Sequence, residues 1–178
     1  IKFAPPHSAA PHFHTNVIAV EDLGRHVRFF APRKSIDALV AAGGDADGAS
    51  LAPHVTITHY LAPNVTLLRQ PDHTQVLSFL PHPTDPGRCR MEMRLLVPRL
   101  ADSGLGEAEW ARRWDKNWAI LLAVLRDEDF PLLREIQLAL ASEGAAPLVY
   151  GRNEVVNQLF HREIDRLAVE DRQRTGQP

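Results

Sequence analysis

Asp129 is the residue whose type clashes most with its surroundings in this 178-residue chain. Counted at helical spacing, its neighbours three or four positions away are Leu125, Leu132 and Leu133, with Leu122 and Ile136 one turn further out. An ionised carboxylate in line with an apolar stripe is costly unless it is paired, protonated or bound to a cation. Ligation of a metal in an apolar cavity meets that condition. A helix cap meets it too. Pro131 is tolerated in a first turn but not deep inside a helix, so the segment can divide in two. Asp127 or Asp129 would then cap the second helix through its free backbone amides. Plain solvent exposure removes the cost as well, and spacing alone leaves ligation, capping and exposure open.

The other chemistry-bearing residues are histidines and one thiol. Nine histidines are many for this length, and His7, His12 and His14 crowd the first fourteen positions. Cys89 is the single cysteine, which excludes an internal disulfide and any multi-thiolate or iron–sulfur site built from these residues alone. The formal net charge of −2 and the lack of a Lys/Arg run argue against a dedicated nucleic-acid binder. No apolar run has the length of a membrane span and no signal peptide is visible, so a cytosolic location is expected. The chain starts at Ile1 in a proline-rich stretch, which reads as a cut through a longer polypeptide.

One domain over 1–178 is the economical organisation. Residues 17–21 and 26–31 read as strands joined by a turn at Leu23, Gly24 and Arg25, and 35–40 as a short helix. The small, polar stretch within 41–53 reads as a flexible loop. Residues 55–60 with their continuation 65–68, then 74–80 and 88–97, read as three further strands, the first bent or bulged at Pro63-Asn64. The last alternates Arg88, Arg90 and Glu92 against Cys89, Met91 and Met93, as a strand with one wet face should. From Gly106 the period becomes helical: 107–126, then 130–140 as a continuation or new helix, then 153–171, followed by a frayed tail at 172–178. Strands followed by helices indicate an α+β fold, an antiparallel sheet with a long helix laid across it.

Five segments then stand out together. They are 24–33 (GRHVRFFAPR), 60–67 (YLAPNVTL), Asn117-Trp118, Glu128-Asp129 with Gln137, and 151–162 (GRNEVVNQLFHR). In this order they resemble the C-terminal catalytic domain of the large (alpha) subunit of Rieske non-haem iron aromatic-ring-hydroxylating oxygenases. The resemblance covers about residues 17–167 and rests on the joint order, since no single piece is specific. It implies a helix-grip (START/Bet v1-like) fold, a curved antiparallel sheet wrapped on a long C-terminal helix around an apolar pocket. It also implies a mononuclear Fe(II) held by two histidines and a carboxylate eight residues before a glutamine. Asp129 and Gln137 have that separation, so the resemblance assigns Asp129 to the metal rather than to a cap.

Two imidazoles and one carboxylate on one face of iron leave open positions for O2 beside a substrate. By helix phase Trp118, Leu122, Leu125 and Ile136 are candidate pocket walls, though each taken singly is better explained as plain core packing. His7 and His12, with four residues between them, are the ligand candidates inside the chain, but Pro5, Pro6 and Pro11 make a poor helix there. The resemblance therefore points to a histidine pair upstream of Ile1. His26 and His161 read as structural or interfacial. The intact enzyme would take electrons from a ferredoxin or reductase through a [2Fe–2S] cluster in an N-terminal domain that this chain lacks. It would hydroxylate an aromatic or apolar substrate and assemble as a homotrimer or alpha/beta oligomer. The fragment alone is then expected to be inactive. The contrasting class is a non-enzymatic helix-grip protein that binds a hydrophobic ligand without metal.

Overall fold

The computed structural model describes residues 19–42, 51–142, 147 and 149–176. Six strands, β1 (Ala19–Leu23), β2 (His26–Pro32), β3 (Val55–Leu61), β4 (Val65–Arg69), β5 (Thr74–Pro81) and β6 (Cys89–Leu96), form one antiparallel sheet in chain order. Between β2 and β3 lie the short helix α1 (Ile36–Ala41) and a 3-10 turn at Ala52–His54. After β6 come α2 (Leu100–Ser103), α3 (Glu107–Val124), a π-helical turn at Leu125–Asp129, α4 (Phe130–Leu140) and the long α5 (Val155–Thr175). This is the expected α+β class, a six-stranded antiparallel sheet with a long C-terminal helix, in a helix-grip-like arrangement.

The meander arises from local turn chemistry. Leu23 pairs with His26, leaving a two-residue loop whose first member, Gly24, has φ +76°, a conformation that side chains disfavour. Its N–H donates to Asp22 Oδ1 at 2.9 Å. At Pro63-Asn64 the sequence suggests only a bend in one strand. The chain instead reverses completely, and β3 and β4 are adjacent antiparallel partners, Leu61 opposite Val65. Side chains hold this reversal: Tyr60 Oη donates to Pro63 O at 2.6 Å and Asn64 Nδ2 to Phe79 O at 2.8 Å. His26 Nδ1 accepts from the Ala62 N–H at 3.1 Å, a structural role as expected. Burial on β6 follows the expected alternation only in part: Met91 and Met93 are half-buried and Arg90 and Arg94 exposed, but Cys89 is exposed and Glu92 half-buried.

Two segments expected to be irregular contain helical structure. Residues 43–50 lie outside the described residues, but Ala52–His54 form the 3-10 turn, so the expected loop is shorter than 41–53. The tail expected to fray is helical through Thr175, where the Gly176 N–H still donates to Arg172 O at 2.9 Å. Arg172 and Arg174 in that last turn complement the helix dipole.

The buried core among the described residues is small, centred on Val27, Val55, Trp114 and Leu125. Trp114 ties the start of α3 to the β4–β5 turn. Its ring stands edge-on to His73 at 5.8 Å, and the neighbouring Arg113 bonds Asp72 at 2.5 Å while His73 Nδ1 bonds the same carboxylate at 2.8 Å. Truncating a buried tryptophan removes both transfer energy and packing. Trp114→Ala should therefore cost about 3–5 kcal/mol in urea unfolding. Ile120→Ala, at a side chain left 51% exposed on the same helix, should change stability by no more than about 0.5 kcal/mol.

Candidate functional site

Inward-facing side chains of the sheet come from alternate positions on each strand. Phe29 stands opposite Thr58, Tyr60 opposite Thr66, and Thr66 in turn opposite Leu77. With Leu68 and Phe79 these residues floor a cavity of about 980 Å³. Val156, Asn157 and Phe160 of α5 close part of it, and Leu133 is the contribution of α4. Pro81 and Cys89 border it at the β5–β6 end. Phe160 meets Tyr60 edge to face, with ring centroids 4.9 Å apart and planes at 71°. Burial, and secondarily the charge of Glu163, pushes the Tyr60 phenol up to about 12. It is therefore neutral at ordinary pH, and its proton is committed to Pro63 O.

The position of α5 over this face depends on charge. Glu163 is the one buried residue of that helix, 6% exposed. Arg25 Nε, from the β1–β2 loop, donates to its Oε1 at 3.0 Å, and Arg166 Nε donates to Oε2 at 2.7 Å. A second Arg166 nitrogen reaches Oε1, and Arg166 also pairs with Glu170. Hydrogen bonding by Arg166, with smaller help from Arg25, lowers the Glu163 carboxyl to about 2 despite its desolvation. His161, also on α5, contacts Tyr150 through its Nε2 at 2.6 Å, as expected of a structural histidine.

Asp129 ends the π-helical turn, where the Phe130 N–H donates to Leu125 O, five residues back. Such turns insert one residue into the helix and rotate all later positions about its axis. Counting at 3.6 residues per turn from α3 therefore fails beyond this point. Leu125 is buried, but beyond the π turn Phe130, Leu132, Leu133, Ile136, Leu138 and Leu140 are all exposed, so that part of the apparent apolar stripe faces no core among the described residues. Asp129 is itself exposed and makes no side-chain capping bond at the start of α4. Of the two plain readings, the structure shows solvent exposure of Asp129 and not capping by it. Partial desolvation raises its carboxyl above the ordinary aspartate value. Leu133, four residues later, lines the cavity although it is largely exposed, while Asp129 itself is not among the lining residues.

The preceding Glu128 adds an unexpected feature. Its Oε1 is buried with no hydrogen-bond partner among the described residues. A buried acceptor in that state is costly unless something cationic or protic meets it. Asp127, by contrast, is paired with Arg126 at 2.6 Å.

The four side chains expected as pocket walls are placed differently. Leu125 is core at 8% exposure, Trp118 is half-buried, and Leu122 and Ile136 are exposed. None of them lines the cavity. The sheet and α5 supply most of its walls instead, with Leu133 the contribution of α4. Strand alternation held the missing signal: Thr58 and Tyr60, and Leu77 and Phe79, are each two residues apart.

Residues 8–169 match the family described as ring hydroxylating alpha subunit (catalytic domain), and the chain belongs to that family. No curated protein and no solved structure matches it. The family implies a mononuclear iron in this domain. Asp129 is chemically able to supply one ligand, an oxygen donor without a side-chain partner among the described residues. The described residues do not complete the set, since no three His, Cys, Asp or Glu side chains gather among them. His7 and His12 lie outside the described residues.

The clasp on α5 gives a pH test. A carboxyl held at about 2 in the fold and ordinarily near 4.5 stabilises fully above 4.5, and that contribution is lost as pH falls toward 2. Glu163→Gln should lower stability at neutral pH and flatten the stability–pH slope across that window, measured by urea unfolding at several pH values. An unchanged slope in the variant would assign acid sensitivity to other carboxylates.

Proposed function

We propose that this chain is the substrate- and iron-binding part of a ring-hydroxylating oxygenase large subunit, with Asp129 as the carboxylate ligand of a mononuclear Fe(II). Family membership supports the oxygenase class. The observation that supports the ligand role is the Asp129 carboxylate, without a side-chain partner among the described residues and one helical turn before the cavity-lining Leu133. Two imidazoles from outside the described residues would complete the centre. When bound, the iron supplies a site where O2 is activated next to the substrate.

The residues of this chain have separate tasks in that reading. Phe29, Leu68, Leu77, Phe79 and Phe160 bind the apolar body of an aromatic substrate and exclude water. Edge-to-face contact with Phe160 holds the Tyr60 ring, and the committed phenol keeps a proton donor from straying into the reaction space. Glu163 fixes α5, and so the angle of the cavity roof. With Cys89 as the only cysteine, these residues cannot bind a [2Fe–2S] cluster. Electrons must then arrive from a cluster held elsewhere, fed by a ferredoxin or reductase, and the chain by itself should not turn over. Assembly as a homotrimer or alpha/beta oligomer and a cytoplasmic location complete the reading.

The test is Asp129→Leu in the intact oxygenase, with iron content and substrate-dependent O2 uptake as readouts. Loss of residues that merely support ligands costs roughly 10–100-fold. Loss of a ligand should exceed that, with iron falling well below one per chain. Stoichiometric iron and normal O2 consumption would remove Asp129 from the centre. A variant that binds an apolar ligand as before, from a parent that never held iron, would favour the metal-free binding protein.

A further inference from the structure

Five of the side chains lining the cavity carry polar groups: Thr58, Tyr60, Asn64, Thr66 and Asn157. Three have their polar groups accounted for. Tyr60 donates to Pro63 O and Asn64 to Phe79 O, while Asn157 is exposed at the margin and open to water. Thr58 and Thr66 differ. Neither hydroxyl has a hydrogen-bond partner among the described residues, and Thr58 is only 6% exposed.

The comparison with Thr56 sharpens this. It lies two residues earlier on the same face of β3 and is 5% exposed, yet its Oγ1 donates to Gln70 Oε1 at 2.9 Å. Thr58, between Phe29 on β2 and Leu68 on β4, has aromatic and aliphatic neighbours instead. A valine there would complete the apolar floor with the same shape and an equal liking for strand geometry. The hydroxyl is a donor and an acceptor left facing a space otherwise walled by hydrocarbon. Thr66 lies diagonally across the β3–β4 pair on the same face, close enough to assist a ligand group held at Thr58.

We propose that the cavity selects an apolar ring bearing one hydrogen-bonding substituent, a hydroxyl or carbonyl, and that Thr58 is the residue that reads it. This rests on the cavity being the substrate site. The substituent lies against the sheet floor, which turns the unsubstituted part of the ring toward Phe160 and the α4 side of the cavity. Thr58 thus determines which end of the ring is presented to the carboxylate edge.

Naphthalene and 2-naphthol differ by one hydroxyl and probe this directly. The full chain should bind 2-naphthol on the order of tenfold more tightly, the gain expected of one well-placed hydrogen bond. Thr58→Val should bring the ratio of dissociation constants close to one without a matching loss of naphthalene affinity, and Thr58→Ser should keep most of the preference. Isothermal titration gives the constants, and circular dichroism checks the fold of each variant. A blocking change, Leu77→Trp or, if that does not fold, Leu68→Phe, should weaken both ligands. If both ligands are blocked in this way but the wild type shows no preference, or Thr58→Val retains it, the role of Thr58 is refuted and the cavity stands. Failure of naphthalene to bind, or binding indifferent to the blocking change, would overturn the cavity reading and this proposal together.

Discussion

α5 is held against the sheet where it closes part of the cavity, and one buried carboxylate anchors that attachment. Glu163 is the sole buried residue of a 21-residue helix whose apolar side otherwise makes partial contacts. A buried charge is costly alone, but here two guanidinium groups from different places meet it. Arg166 belongs to α5 itself, so its bond presets the carboxylate without adding a tertiary link. Arg25 comes from the β1–β2 loop and is the actual bridge to the sheet. The tight Gly24 turn matters for this reason. It brings Arg25 to the sheet margin at the height where the helix passes, and Phe160, one turn before Glu163, then falls against Tyr60.

The sheet is largely legible in the sequence because its signals are local. Strand alternation and Pro, Asp or Gly at the connections mark most of the strands, and six antiparallel strands in chain order need no long-range information to arrange. The reversal at Pro63-Asn64 reads only as a bend because the groups that turn the chain there are tertiary. His26, from β2, accepts the Ala62 N–H, and Asn64 reaches the carbonyl of Phe79 on β5. Neither partner is near in sequence. The extension of α5 to Thr175 is hidden for the opposite reason. Its last turn is polar on every side and is carried by backbone bonding, the helix dipole and pairs such as Arg174 with Asp171.

The candidate site is legible in chemistry and not in direction. Asp129 stands out in sequence because an acid interrupts hydrocarbon, but in the fold both the acid and the apolar residues that follow it are exposed. Its expected neighbours are wrong because helical counting assumes an uninterrupted 3.6 period, and Leu125–Asp129 breaks it. The break has a visible local reason: Pro131 has no N–H to donate to residue 127, so the ladder already lacks a rung where the wider turn forms. Trp118, Leu122 and Leu125 remain in phase with α3 and stay off the cavity. Leu133 enters it, and Glu128 is left with a buried oxygen that nothing in its own helix satisfies.

This division of labour suits an oxygenase. The floor of the cavity is a hydrogen-bonded sheet whose side chains cannot change sides without breaking register, so it is the proper place to fix a substrate's orientation. The acidic edge sits on a π turn, where one helix hydrogen bond is already rearranged and small rotations cost less than in a regular helix. A ligand sphere that must accept two further side chains from another part of the protein benefits from such give at the carboxylate. A substrate that must present one carbon to an oxidant benefits from none at the floor. On the proposed reading, the unpaired hydroxyl of Thr58 on the stiff side and the carboxylate of Asp129 on the adaptable side would be complementary halves of one requirement. The ring would be registered against the sheet, and the metal brought to the ring.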